Sequence, residues 1–113
     1  MPRVPYLRHA AIAAALCCTV TAVSAANPSF NCAKASSSVE KLICNDAELA
    51  DLDRSLSSLY SRVLENVSAA DKKLLKAEQQ GWVKGRDDCW KSDDMRGCVQ
   101  REYRYRIDEL KDR

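Results

Sequence analysis

Three groups of side chains in this sequence have types and spacings suited to chemistry: a polar stripe, two pairs of acids around a tryptophan, and a set of cysteines. The stripe is Gln79-x-x-Trp82-x-x-x-Arg86-x-x-Cys89, which at about 100° per residue falls on one helical face together with Leu75. A solvated helix has no reason to hold a Trp and a Cys in register, so this face points inward and carries Gln79 and Arg86 with it. Buried polar groups need partners. The acids are Asp87-Asp88 and Asp93-Asp94, placed around Cys89 and Trp90. Two carboxylates in a cleft suffice for glycoside hydrolysis, but a thin helical domain offers little cleft. Calcium is no better served, since the segment lacks the alternating Asp/Asn ligands and the Gly of an EF-hand. A solvated loop with helix-capping duties is the simplest role for these acids; a docking surface centred on Trp90 is the functional one.

Acid–base and nucleophilic catalysis have few candidates. The single histidine, His9, lies in a segment with Arg3 and Arg8, an apolar run from Ala10 to Val23, and the small residues Ser24-Ala25-Ala26. This pattern is a secretory signal peptide over residues 1–26, cut after Ala25 or Ala26, which leaves a mature domain of residues 27–113. The apolar run is shorter than the roughly 18 residues of a spanning helix, so no stable membrane insertion is expected after cleavage. Cys17 and Cys18 do not make a lipobox, because Ala14-Ala15-Leu16 reverses the order that motif needs. The chain carries 18 basic and 16 acidic residues, a formal +2, and losing Arg3 and Arg8 leaves 16 against 16. A neutral domain lacks the basic footprint of a nucleic-acid binder. With His9 gone, the thiols paired and no Gly-rich phosphate loop, neither an enzyme nor a cofactor site is expected.

Of six cysteines, Cys32, Cys44, Cys89 and Cys98 remain in the mature chain. An even number in a short exported domain implies two disulfides. Zinc needs close pairs such as C-x-x-C, and the intervals here are eleven and eight residues, so no metal is expected. Cys32 with Cys44 and Cys89 with Cys98 is the preferred pairing, each closing a short loop; a crossed bond from Cys44 to Cys89 stays open because both fall at one end of the fold. At under ninety residues only about 60 to 65% of the unfolded surface is buried, so such staples offset a thin core.

The elements that position these groups are helical throughout. Asn27 to Asn31 is turn-rich and extended, with Phe30 as its anchor. Ser37 and Glu40 form a capping-box pattern that starts a short helix ending near Cys44, with Val39, Leu42 and Ile43 on the core. Asn45 or Asp46 caps a second helix running to about Val67, where Leu49, Leu52, Leu56, Leu59, Tyr60, Val63 and Val67 keep three-four spacing. Ser68 and Asp71 begin a third, to about Trp90, that contains Gly81 and Gly85; each glycine costs about 1 kcal/mol relative to Ala, which points to close approach of a neighbouring helix. A fourth runs from about Met95 to Lys111 and packs Val99, Tyr103, Ile107 and Leu110. The expected fold is an all-α, disulfide-stapled domain of about four helices built on an antiparallel hairpin of helices two and three. Equal counting from the turn near Ser68 sets Asp53 against Arg86 and Tyr60 against Gln79, as a structural polar pair of contacts.

The pieces Phe30-x-Cys32-Ala33-Lys34-Ala35, Val39-Glu40-x-x-Ile43-Cys44, Leu49-x-x-Leu52-Asp53-x-x-Leu56-x-x-x-Tyr60, the Gln79-Trp82-Arg86-Cys89 stripe, and Cys98 with Arg106-Ile107-x-x-Leu110 together resemble the LprI family over nearly the whole mature chain. That resemblance implies an exported bacterial protein, periplasmic or secreted, whose partner is a lysozyme; the alternative is an envelope binding module for another protein. An inhibitor of a basic, carboxylate-lined lysozyme must dock on a positive surface and block the cleft. Asp87, Asp88, Asp93 and Asp94 around Trp90 are the candidate partner-binding residues, and Arg101, Arg104 and Arg106 of helix four offer the opposite charge.

Overall fold

Each helix begins where a side chain satisfies backbone N–H groups that have no partner inside the helix. In the computed structural model, which describes residues 2, 12–17 and 26–113, Ser37 caps α1 (Ser38–Asn45) through a reciprocal box. Its Oγ accepts from the Glu40 N–H at 3.0 Å, and Glu40 Oε1 accepts from the Ser37 N–H at 3.2 Å. Asp46 caps α2 (Ala47–Asn66) by accepting from the Leu49 N–H. Ser68 caps α3 (Ala69–Asp87) by accepting from Asp71, and Asp94 caps α4 (Met95–Lys111) by accepting from Gly97. All are Ser or Asp, the residues that favour this position. Among the described residues there is no strand, and no helix is long and apolar enough to cross a membrane. The expected signal peptide, residues 1–26, lies largely outside the described residues.

The apolar stripes meet in one core that includes Ile43 of α1, Leu49 and Leu56 of α2, Leu75 of α3, and Val99 and Tyr103 of α4. Fully burying each large side chain of this kind contributes about 1.5–3 kcal/mol. Helix α4 packs extensively on α2 and also on α3, while α1 sits across one end and touches all three. Val67 and Ser68 alone join α2 to α3, yet the space between those helices is filled chiefly by α4. The disulfides Cys32–Cys44 and Cys89–Cys98 close with Cα separations of 5.8 and 5.6 Å, and the crossed bond is not formed. Two disulfides suit an oxidising compartment outside the cytoplasm.

Three local expectations change. The α-helix of α3 ends at Asp87 and tightens into a 3-10 turn over Asp88–Lys91 instead of continuing to Trp90. The entering segment is partly coiled: Asn31 caps a 3-10 turn at Cys32–Lys34, Pro28 is buried, and Arg54 donates to the Asn27 carbonyl. Gly81 and Gly85 face open space, since a Cβ at either position would meet no atom within 4 Å. No neighbouring helix approaches there, because α4 meets α3 on the Trp82 and Arg86 side.

Candidate functional site

The polar stripe of α3 does enter the interior, but α4 supplies its partner. Asp53 and Arg86 are 5% and 6% exposed, so both charges need internal satisfaction. The Tyr103 hydroxyl lies between them. It donates to Asp53 Oδ1 at 2.8 Å and accepts from Arg86 Nη1 at 3.1 Å. The other Asp53 oxygen accepts both the backbone N–H and the hydroxyl of Ser29 at 2.6 Å. Arg86 turns its remaining edge to Asp87, with Nε at 3.0 Å and Nη2 at 2.8 Å from Oδ1. Direct pairing of Asp53 with Arg86 is therefore replaced by a chain, Ser29–Asp53–Tyr103–Arg86–Asp87. The reason is geometric: counting along two helices cannot register a third that inserts a ring between them.

Aromatic rings enclose the guanidinium. Its carbon is 5.7 Å from the Trp82 ring centroid and 6.0 Å from those of Phe30 and Tyr103, a desolvated setting in which cation–π attraction is strongest. Trp82 meets Tyr103 edge-on at 5.1 Å and donates to the Glu102 carbonyl. Burial pushes the Tyr103 hydroxyl well above its ordinary range; Asp53 adds to that rise and Arg86 partly opposes it. Burial by itself would lower the Arg86 guanidinium, but Tyr103 and Asp87 outweigh it and the net shift is upward. Gln79 is also taken by α4: its Oε1 accepts from Arg106 Nε at 2.9 Å, in place of the expected contact with Tyr60. Tyr60 and Gln79 instead share the wall of a groove of about 330 Å³ between α2 and α3, which Phe30, Asp53, Trp82 and Arg86 also line. Both oxygens of Asp53 are occupied by donors, so the carboxylate serves as a fixed acceptor.

The acidic segment divides into different duties. Asp87 is tied to Arg86, Asp88 lies 3.4 Å from Lys91 Nζ, and Asp94 caps α4. Asp93 is exposed. Trp90 is 61% exposed and stands on the 3-10 turn next to Cys89, whose bond to Cys98 anchors the turn to α4. Of the arginines expected to offer positive charge, Arg106 is buried against Gln79 and Glu109, and Arg104 contacts Glu48 at 3.4 Å. Ser29 and the bridging role of Tyr103 were not expected from the sequence. A buried tyrosine hydroxyl usually finds a partner, and that was the available signal.

A small helical domain with two disulfides, a buried Asp53–Tyr103–Arg86 chain paired internally and an aromatic left outside is built to hold a surface in shape. A protein-family model described as Lysozyme inhibitor LprI matches residues 32–110. The chain belongs to the LprI family. Proteins named Lipoprotein LprI from Mycobacterium bovis and Mycobacterium tuberculosis are each 36% identical to it over 85 residues, covering 75% of this chain and 42% of theirs. The chain thus spans less than half the length of these LprI relatives. No solved structure matches it. The matched LprI region begins at Cys32 and ends at Leu110, so it contains both disulfides and the Asp53–Tyr103–Arg86 chain but not Ser29.

Proposed function

We propose that the mature domain is an exported binding protein, periplasmic or secreted, that inhibits a lysozyme-type muramidase by protein–protein docking and has no catalysis of its own. Membership of the LprI family supports the target class. The observation that carries the docking mechanism is Trp90, exposed on a turn whose neighbouring Cys89 is bonded to α4. Large aromatics dominate binding energy where they enter a partner's pocket, and a turn fixed before binding loses little conformational entropy on association. Asp88, Asp93 and Asp94 are exposed around it, where they attract a basic partner and raise the association rate. Asp87 contributes through Arg86 and the fold.

The test compares wild type with the triple variant Asp88→Asn, Asp93→Asn, Asp94→Asn against a c-type lysozyme at low and high salt. Slower association and a flatter salt dependence in the variant, with inhibition retained at excess, are the expected results; Asn keeps the cap on α4. Equal rates and equal salt dependence would remove the acids from the mechanism. Failure of wild type to inhibit at micromolar excess would instead favour a different envelope protein as partner.

A further inference from the structure

The arginines of α4 differ sharply in how they are engaged. Arg96 is held by Asp46 at 2.7 Å and Glu48 at 2.9 Å, Arg104 reaches Glu48, and Arg106 is buried. Arg101 is 58% exposed along its side chain, and its one acidic neighbour is Asp94 at 3.9 Å, with no hydrogen bond between them. Gly97, one turn earlier, leaves room for that side chain: a Cβ there would lie 3.1 Å from Arg101 Nη1 and still closer to the Asp94 carboxylate.

Arg101 also has aromatic company. Tyr105, 65% exposed, is four residues on and so one turn along the same helical face. Cys98 is three residues before Arg101, and its disulfide partner Cys89 precedes the exposed Trp90. Arg101 and Tyr105 therefore share one outer face of α4, and the turn that carries Trp90 is bonded to the same helix at Cys98. Trp, Tyr and Arg are the three residue types that dominate interface hot spots. An exposed guanidinium one turn from an exposed ring matches a planar, bidentate acceptor.

We infer that this face recognises a partner surface that presents a carboxylate, with Arg101 as the residue that engages it, Tyr105 beside it as an anchor and Trp90 on the bonded turn as a second. The inference rests on the proposed inhibition of a muramidase, whose cleft carries paired carboxyl groups; it names the group that enters that cleft. Arg101 is then the specificity-determining contact, while Asp88, Asp93 and Asp94 steer the approach from the rim.

The test is calorimetric binding of wild type, Arg101→Ala, Arg101→Lys and the control Arg104→Ala to a c-type lysozyme and to a lysozyme variant whose cleft carboxylates are changed to amides. Circular dichroism checks that each variant is folded, as exposed positions should allow. Arg101→Ala is expected to weaken binding about 30-fold, Arg101→Lys to recover part of it, and Arg104→Ala to change it less than about 3-fold. On the amide variant of lysozyme, wild type and Arg101→Ala should bind alike. Wild-type inhibition with undiminished binding by Arg101→Ala would overturn this inference and leave the proposed function standing, as would an equal loss on both forms of lysozyme. Absence of wild-type binding would overturn both.

Discussion

Tyr103→Phe removes a single oxygen from the centre of the fold and isolates what the bridge contributes. The ring stays, so its edge contact with Trp82 at 5.1 Å is kept. Two hydrogen bonds are lost, one to the Asp53 carboxylate and one from the Arg86 guanidinium. A hydrogen bond to a charged group is worth about 1.5–3 kcal/mol. Neither charge is stranded, because Asp53 keeps both donors of Ser29 and Arg86 keeps Asp87. The two bonds share one hydroxyl and are coupled, so they contribute less than twice the single-bond range, and the expected loss is about 2–4 kcal/mol, out of a total stability on the order of 5–15 kcal/mol. Urea unfolding with the disulfides intact measures it, and at a slope of about 1–2 kcal/mol per molar the midpoint falls by roughly 1–4 M. A loss under about 0.5 kcal/mol would refute the claim that Tyr103 joins two buried charges. The same hydroxyl makes a prediction at alkaline pH. Its folded pKa is raised above the ordinary 10.0, so its contribution is complete below that value and is lost as pH climbs toward the folded one. The alkaline decline should be shallower in Tyr103→Phe.

Arg96 holds the carboxyls of Asp46 and Glu48 below their ordinary values of 3.8 and 4.5, chiefly through its hydrogen bonds to them. Depressed carboxyl pKa values contribute stability above those ordinary values and lose it as pH falls toward the folded ones, so acid unfolding of Arg96→Ala should show a weaker pH dependence below about pH 4.5. Replacing Cys89 and Cys98 with Ser opens a short loop and should cost about 2–3 kcal/mol by urea unfolding; with the turn released, binding through Trp90 should weaken as well, and calorimetry reads that loss.

Much of the fold was legible because local and global preferences agree. The unbroken apolar spacing from Leu49 to Val67 gave α2, and Ser37 with Glu40 and Ser68 with Asp71 gave two helix starts that the structure places at Ser38 and Ala69. The inward direction of Arg86 and the nearness of Asp53 to the core were also readable, from a Trp and a Cys in register with the first and a leucine stripe beside the second. What bridges them was not. Tyr103 looks like any apolar position of α4, and no two-helix count reveals that α4 inserts between α2 and α3. Ser29 is less visible still, since a serine in a turn-rich leader gives no sign that both its donors serve a carboxylate 24 residues away. Gly81 and Gly85 misled for the opposite reason: a helix-weakening residue suggests close packing, yet both face open space.

Titration of a c-type lysozyme with the purified mature domain, followed by lysis of a cell-wall suspension, tests the central claim most directly. Inhibition is expected to saturate near one equivalent for wild type and to require about 30-fold more protein for Trp90→Ala, a loss of hot-spot size. Unimpaired lysis at micromolar excess of wild type, or equal inhibition by Trp90→Ala, would contradict it.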